Sequence, residues 1–416
     1  MRGRSRARPD RANRRIPSVT GDVALRASSD SPTEQALESH VRALDGYRAI
    51  AAIMVVITHT AFVSGTYTQG AWGAALSRFD FGVTLFFLLS GFLLYSPWAR
   101  ASMTGVRGPR LAGYGWRRLL RIVPAYAVVV VVVVLALPQA QVARTSASIP
   151  IHLSFAQIYV PGALVEGLTQ TWSLATEVSF YALLPLLAWV MGRRARGRPV
   201  DSARWQLWVL LVVGLLSLAW NVARTVPPLE SVSGVGFWLP AHCDWFALGM
   251  AGAVFRELHA LGHNALGVAN LRRIASDTVW CLLSAAALLA LAATPLGGPY
   301  TLQPGTTLTV VARHLLYGAA AAAFLLPAFF APARSSGWLR VLAGPIPVYL
   351  GTISYGIFLW HLSLMWFVLN VLHWQPFDGG FIVLLTLTLV ASVVVASASW
   401  FLLERPLLTL RGAVRA

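Results

Sequence analysis

Arg48 and His59 stand eleven residues apart in the stretch LDGYRAIAAIMVVITHT, Leu44 to Thr60, which otherwise reads as a helix in lipid. Charged and ionisable side chains are expensive inside a bilayer, so both need a reason. On a helix, eleven steps of about 100° return to within about 20° of the starting face and rise about 16 Å. The two therefore share one stripe, with Arg48 at one end and His59 past the middle. In WRRLLRIVPAY, Arg118 and Arg121 are three apart and share a face. The bland reading is an interfacial charge that snorkels to water. The sharper one is a phosphate clamp, because arginine presents a planar fork of donors.

Three further ionisable residues lie inside apolar runs. They are Glu177 in TWSLATEVSFYALLPLL, Asp244 in AHCDWFALGM and His361 in ISYGIFLWHLSL. A lone buried histidine is usually a satisfied core residue. Two histidines and two carboxylates expected at one depth point instead to a shared polar site. Ser90 lies between small residues in FGVTLFFLLSGFLLY. It serves close helix packing, or donates a hydrogen bond within that site. The expected picture is two layers: Arg48, Arg118 and Arg121 on one side, and His59, Glu177, Asp244 and His361 nearer the other. Such layers suit an anionic donor with a long arm meeting a substrate from the opposite face. No metal-ligand spacing is present, and Cys243 and Cys281 read as isolated thiols within helices. His40 and Asp45 spell the H-x-x-x-x-D spacing of glycerolipid acyltransferases, but the further elements those sites need are missing.

The elements that must position these groups are spans. Hydrophobic residues make up 56% of the 416 and charged residues only 12%, about half the usual share of a soluble domain. With a mean hydropathy of +0.63, the chain is expected to be an all-α, polytopic membrane protein. Runs of about 20 apolar residues suffice to cross the hydrocarbon core. They fall near 46–65, 81–99, 119–137, 171–191, 205–222, 241–256, 277–294, 307–330, 349–371 and 381–403, giving about ten transmembrane helices. Residues 1–41 read as a disordered basic cytoplasmic tail, 42–410 as the transmembrane domain and 411–416 as a short tail. No secretory signal precedes the first span.

The net charge of +17 does not mark a nucleic-acid binder, because the arginines sit in loops between the apolar runs. Of 33, the N-terminal tail and one alternating set of loops hold 27, and the opposite set holds Arg78, Arg144 and Arg224. The positive-inside rule then places both termini in the cytoplasm. The connector from Pro138 to Gln170 is expected outside, either covering a mouth or serving as a passive link.

Six stretches taken in order carry a resemblance over nearly all of residues 42–410: LDGYRAIAAIMVVITH, FGVTLFFLLSGFLL, RRLLRIVPAY, WSLATEVSFY, ISYGIFLWH and LLERPL. The chain resembles the acyltransferase family 3 proteins, integral-membrane O-acyltransferases of bacterial surface glycans, lipids and some macrolides. The resemblance implies a ten-helix bundle in the bacterial plasma membrane. It implies an acyl-coenzyme A co-substrate, no tightly bound cofactor, and a hydroxyl-bearing acceptor. The family's basic residue and histidine on the first helix fall on Arg48 and His59. Its paired arginines fall on Arg118 and Arg121, and its buried glutamate on Glu177. Thr84 departs from the acidic residue that many members carry after Gly-Val, and Thr176 leaves Glu177 as a single acid. Some relatives continue into an esterase-like domain. None follows the last helix here, so the membrane domain or a partner is expected to handle the acceptor.

On this resemblance His59 is the expected general base or acyl relay, with Glu177 or Asp244 orienting it. His361 is a second relay or an oxyanion donor. The three arginines hold the coenzyme's phosphates. Glu404 is expected to pair with interface arginines. The competing reading is a proton-coupled transporter or flippase, which also needs buried ionisable groups. It is disfavoured by the lack of an inverted repeat or matching broken helices.

Overall fold

Apolar runs in lipid have few choices, because every backbone N–H and C=O must be paired within the segment. In the computed structural model, which describes residues 32–142, 144–300, 305–330 and 336–412, the runs are helical throughout. The long helices are α1 (Pro32–Val63), α2 (Phe81–Thr104), α3 (Leu111–Ala136), α4 (Trp172–Gly192), α5 (Pro199–Ala223), α6 (Cys243–Ala260), α7 (Thr278–Ala292), α8 (Thr307–Phe330), α9 (Ser354–Leu372) and α10 (Phe381–Ser399). Each expected run thus becomes one helix, but they are not ten equivalent spans.

Among the described residues, eight helical segments are long and apolar enough to cross a membrane. The expected sixth span, α6, has 18 residues, and Asp244, Arg256 and Glu257 make it too charged to count among them. The expected seventh, α7, has 15 residues and meets the helix Val268–Ser276 at a 90° bend. Alone it rises only about 22 Å, short of a hydrocarbon core of about 30 Å. The bent pair together makes a possible ninth crossing. At the start of the chain, α1 begins at Pro32, ahead of the boundary expected at 42. Residues 1–31 and 413–416 of the expected tails lie outside the described residues.

The core is built on α2, which packs between α1 and α6 at backbone contact. A Cβ on Gly82 would overlap the Ala51 carbonyl of α1, and one on Gly91 would overlap the Phe246 carbonyl of α6. From the other side, a Cβ on Gly249 would overlap the Leu88 carbonyl. These glycines let helices approach where lipid gives no hydrophobic drive for association. Phe87 fills the same seam, stacked 4.6 Å from Phe246 and edge-on to Trp172 and His242.

Arg78, expected as an outer-loop charge, is buried. Its guanidinium donates to the carbonyls of Ala292 (2.9 Å), Gly297 (3.1 Å) and Gly298 (2.5 Å), closing the C-terminal end of α7. A cation there meets both the orphan carbonyls and the negative end of the helix dipole.

The Pro138–Gln170 connector packs down onto α9. Gln170 Nε2 donates to the Leu359 carbonyl (2.7 Å), and Ser363 Oγ donates to that of Gly167 (2.8 Å). These contacts hold the connector against the face of α9 that carries Leu359 and Ser363. Within it His152 is fully buried, with Nδ1 donating to the Ser148 carbonyl (2.9 Å), and burial pushes its pKa down.

Candidate active site

The first helix fixes the spacing of the site. Arg48 and His59 sit at two levels of α1, as their sequence separation requires. Around Arg48, one cavity gathers Arg118 and Arg121 from α3, Ser90 from α2, Glu177 and Tyr181 from α4, and Tyr355 and Phe358 from α9. The Arg118–Arg121 face points into this cavity, and the third arginine arrives from a different helix. Their charges are barely compensated. Arg48 has only Asp45, at 4.0 Å, and Arg118 Nε is buried without a hydrogen-bond partner among the described residues. No carboxylate lies within ion-pair distance of Arg118 or Arg121 among those residues. Glu404, expected to pair with interface arginines, accepts from Ser399 Oγ (3.0 Å) and lies within electrostatic reach of Arg121 and Arg48 without a direct ion pair among the described residues.

Glu177 lies in the arginine cavity rather than beside His59. One of its oxygens, Oε1, accepts from Ser90 Oγ and from Tyr181 OH, the latter at 2.6 Å. Oε2 has no protein partner among the described residues. The expected pair of layers therefore becomes a chamber in which guanidinium groups, a serine and a carboxylate share one space. The aromatic ring of Tyr181 lies 6.0 Å from the Arg118 guanidinium, which ties the two ends of the chamber together.

His59 and His361, expected at a common depth, meet. His361 Nε2 is 3.1 Å from His59 Nδ1. His59 Nδ1 also lies 2.9 Å from the Val55 carbonyl, and His361 Nδ1 lies 2.7 Å from that of Phe358. Carbonyls only accept, so both Nδ1 atoms carry the proton; the tautomers are assigned from these partners. His361 Nε2 then offers a lone pair to His59 Nδ1–H. His59 Nε2 keeps its own lone pair, with no partner among the described residues. His361 is fully buried and His59 only half-buried, so the outer imidazole of the pair is the accessible one.

Neither histidine lines the arginine chamber. Between the two lies a pair of rings: Phe86 and Phe358 meet edge to face at 6.1 Å, and Phe358 is 6.0 Å from the His361 ring. Both phenylalanines line the chamber.

Asp244 belongs elsewhere. Its Oδ1 accepts from His314 Nε2 (2.8 Å) and lies 3.0 Å from Ser217 Oγ, all three buried. His314 stacks on Trp245 at 4.1 Å. The expectation that Asp244 shares a site with His59 is therefore corrected: it closes a buried hydrogen-bonded contact between α6 and α8. Sequence reasoning missed His314, and also His242, two residues before Asp244, whose Nδ1 is buried without a partner among the described residues. The available signal for His314 was its place inside an apolar run, the same signal that singled out His361.

Comparison with known proteins comes down to one family and two relatives. Nodulation protein 10 of Rhizobium leguminosarum bv. viciae is 24% identical over 415 residues, covering 92% of this chain and 98% of that protein. Peptidoglycan O-acetyltransferase OatA of Listeria monocytogenes is 26% identical over 205 residues, 45% of this chain and 30% of that protein. No solved structure matches the chain. The family model described as an acyltransferase domain, that of acyltransferase family 3, matches residues 41–401, so the chain belongs to that family.

Proposed function

We propose that this multi-pass membrane acyltransferase moves an acyl group, acetyl by default, from acyl-coenzyme A to a hydroxyl of a sugar, glycan, glycolipid or macrolide. One observation carries the reading. Three arginines from two helices converge on one cavity beside a serine and a carboxylate, and the single ion pair among them within 4.0 Å in the described residues is Arg48 with Asp45. Such a site calls for a multiply charged anion with a reactive end, and a phosphorylated coenzyme thioester is one. Arg48, Arg118 and Arg121 hold phosphate oxygens through charge-assisted hydrogen bonds. The arm lies along the apolar wall of Phe86, Phe87 and Leu94 toward Ser90. His59 takes the acceptor's proton on Nε2, and His361, locked by the Phe358 carbonyl, holds the attacking tautomer in place.

The excess of arginine on one side supports cytoplasmic termini and a donor supplied from the cytoplasm, in the bacterial plasma membrane. The acceptor then meets His59 from the outer side. That the listerial relative is named a peptidoglycan O-acetyltransferase supports acetyl and a glycan hydroxyl.

The test compares lipids, glycans and secreted small molecules by mass spectrometry. The cells carry the wild-type protein, His59→Ala at matched abundance, or neither. An ester-linked mass increment with the wild type alone supports the reading and names the acyl group and its carrier. Identical profiles from all three, together with no acyl-coenzyme A binding by the purified protein, would turn the reading toward a carrier.

A further inference from the structure

We propose that Ser90 holds the acyl group as a covalent ester between donor and acceptor. This rests on the donor reading above and adds a step to it.

The residues that would meet the thioester are not the histidines. The chamber that holds Arg48, Arg118 and Arg121 also holds Ser90 and Glu177, and it does not hold His59 or His361. Inside it, Ser90 Oγ donates to Glu177 Oε1. A hydroxyl hydrogen-bonded to a carboxylate, itself oriented by a third group, is the arrangement of an activated nucleophile and its base. Tyr181 OH, at 2.6 Å from the same oxygen, is that third group.

Ser90 also lies one helical turn from Phe86 on α2. Phe86 meets Phe358, Phe358 meets His361, and His361 meets His59. The serine and the imidazole pair therefore face each other across one layer of aromatic rings. A direct transfer would need donor and acceptor together, with that layer open between the two ends. An ester on Ser90 lets the coenzyme leave before the layer parts. The two ends are then never open at once, which keeps the bilayer sealed.

In the first step, Ser90 Oγ attacks the thioester carbonyl as Glu177 takes its proton. The carbon–sulfur bond breaks, and the coenzyme leaves as a thiolate. In the second, the acceptor oxygen attacks the serine ester as His59 Nε2 takes the acceptor's proton. The Ser90 carbon–oxygen bond breaks, and Glu177 returns its proton to Oγ. His59 then releases one proton to water and the thiolate gains one, so the sum is thioester plus alcohol giving ester plus thiol.

The experiment uses the purified full chain in lipid nanodiscs, with acetyl-coenzyme A and no acceptor. Binding is measured first, by calorimetry. Reactions are then quenched over time for intact-mass analysis and peptide mapping. The expected result is one added acetyl group on the peptide containing Ser90, removed by hydroxylamine. Ser90→Ala binds acetyl-coenzyme A and gains nothing, and Ser90→Cys recovers an adduct as a thioester. Glu177→Gln slows acylation by roughly 10²–10⁴-fold, the range for a lost general base. His59→Ala acylates normally but no longer passes the group to an acceptor, so its adduct persists. Binding without an adduct in both wild type and His59→Ala overturns the relay and leaves direct transfer. So does an adduct on any residue other than Ser90, or full turnover by Ser90→Ala. If wild type fails to bind acetyl-coenzyme A, the donor reading fails first and takes the relay with it.

Discussion

Replacing Arg121 with alanine tests the donor chamber directly. A hydrogen bond to a charged group contributes about 1.5–3 kcal/mol, so one lost arginine–phosphate contact weakens binding by roughly 10–150-fold. The unliganded protein responds in the opposite sense. Arg121 shares its helix face with Arg118 and the cavity with Arg48. Two unit charges about 6 Å apart repel by roughly 2–3 kcal/mol at an effective dielectric of about 20. Removing one charge relieves that repulsion, so the melting temperature without ligand should hold or rise. The two effects separate in one assay. At a donor concentration of about 100 Kd, binding stabilises wild type by about 2.7 kcal/mol. With Kd weakened about 100-fold, the same concentration stabilises Arg121→Ala by only about 0.4 kcal/mol. Thermal melts with and without acetyl-coenzyme A, backed by calorimetry, read both quantities. If the ligand-induced shift is unchanged in Arg48→Ala, Arg118→Ala and Arg121→Ala alike, the clamp is wrong. If Arg121→Ala instead melts lower without ligand, the arginine is a structural group and the repulsion argument fails.

His59→Gln should keep acetyl-coenzyme A affinity within about twofold, while acceptor acylation falls by roughly 10²–10⁴-fold in a product assay. Asp244→Asn should leave catalysis near wild type, because Asp244 binds His314 and not His59. Its melting temperature should drop, by about 1–3 kcal/mol of stability for a disrupted buried pair. Arg78→Ala strips the carbonyls of Ala292, Gly297 and Gly298 of their donor. A loss of at least about 2 kcal/mol is expected, read as reduced folded yield and a lower melting temperature. Gly249→Ala drives a methyl into the Leu88 carbonyl and should cost about 1–3 kcal/mol or more, with activity lost in step with folded protein.

What the sequence could say depended on whether one helix was enough. Arg118 and Arg121 share a face by spacing alone, and Arg48 and His59 share a stripe by spacing alone. Both inferences concern single helices, where periodicity fixes geometry. A common depth, which span boundaries supply, put His59 and His361 within reach of each other, and packing then brought them together. Asp244 and Glu177 failed the same test, because depth does not fix which way a helix turns. Asp244 is directed to α8 and His314, while Glu177 is directed to Ser90 and the arginines. That rotation is set by packing, through contacts such as Gly91 on Phe246 and Gly249 on Leu88, which no single-helix pattern contains. The count of spans is hard to read from sequence for a related reason. A run of apolar residues does not reveal that α7 is bent 90° from its neighbour.

The clustered arginines also bear on the choice between an enzyme and a carrier. A proton-coupled carrier keeps its ionisable groups near one another, so that a proton and a cargo can compete for the same charge. Here the groups are divided. The three guanidinium groups lie in one chamber, which the histidines do not line. The guanidinium groups keep their charge throughout the working pH range. They therefore cannot serve as the proton-exchanging element, and a bound anion would relieve their mutual repulsion. The imidazole pair, across Phe86 and Phe358, can exchange a proton, but among the described residues no arginine is hydrogen-bonded to it to hold an anion. A fixed anion clamp on one side and a proton acceptor on the other match the two halves of a group transfer. The donor must be held by charge while its leaving group departs, and the acceptor must lose a proton. Each half has the chemistry the other lacks, and Ser90 with Glu177 sits on the clamp side, one helical turn below the aromatic layer.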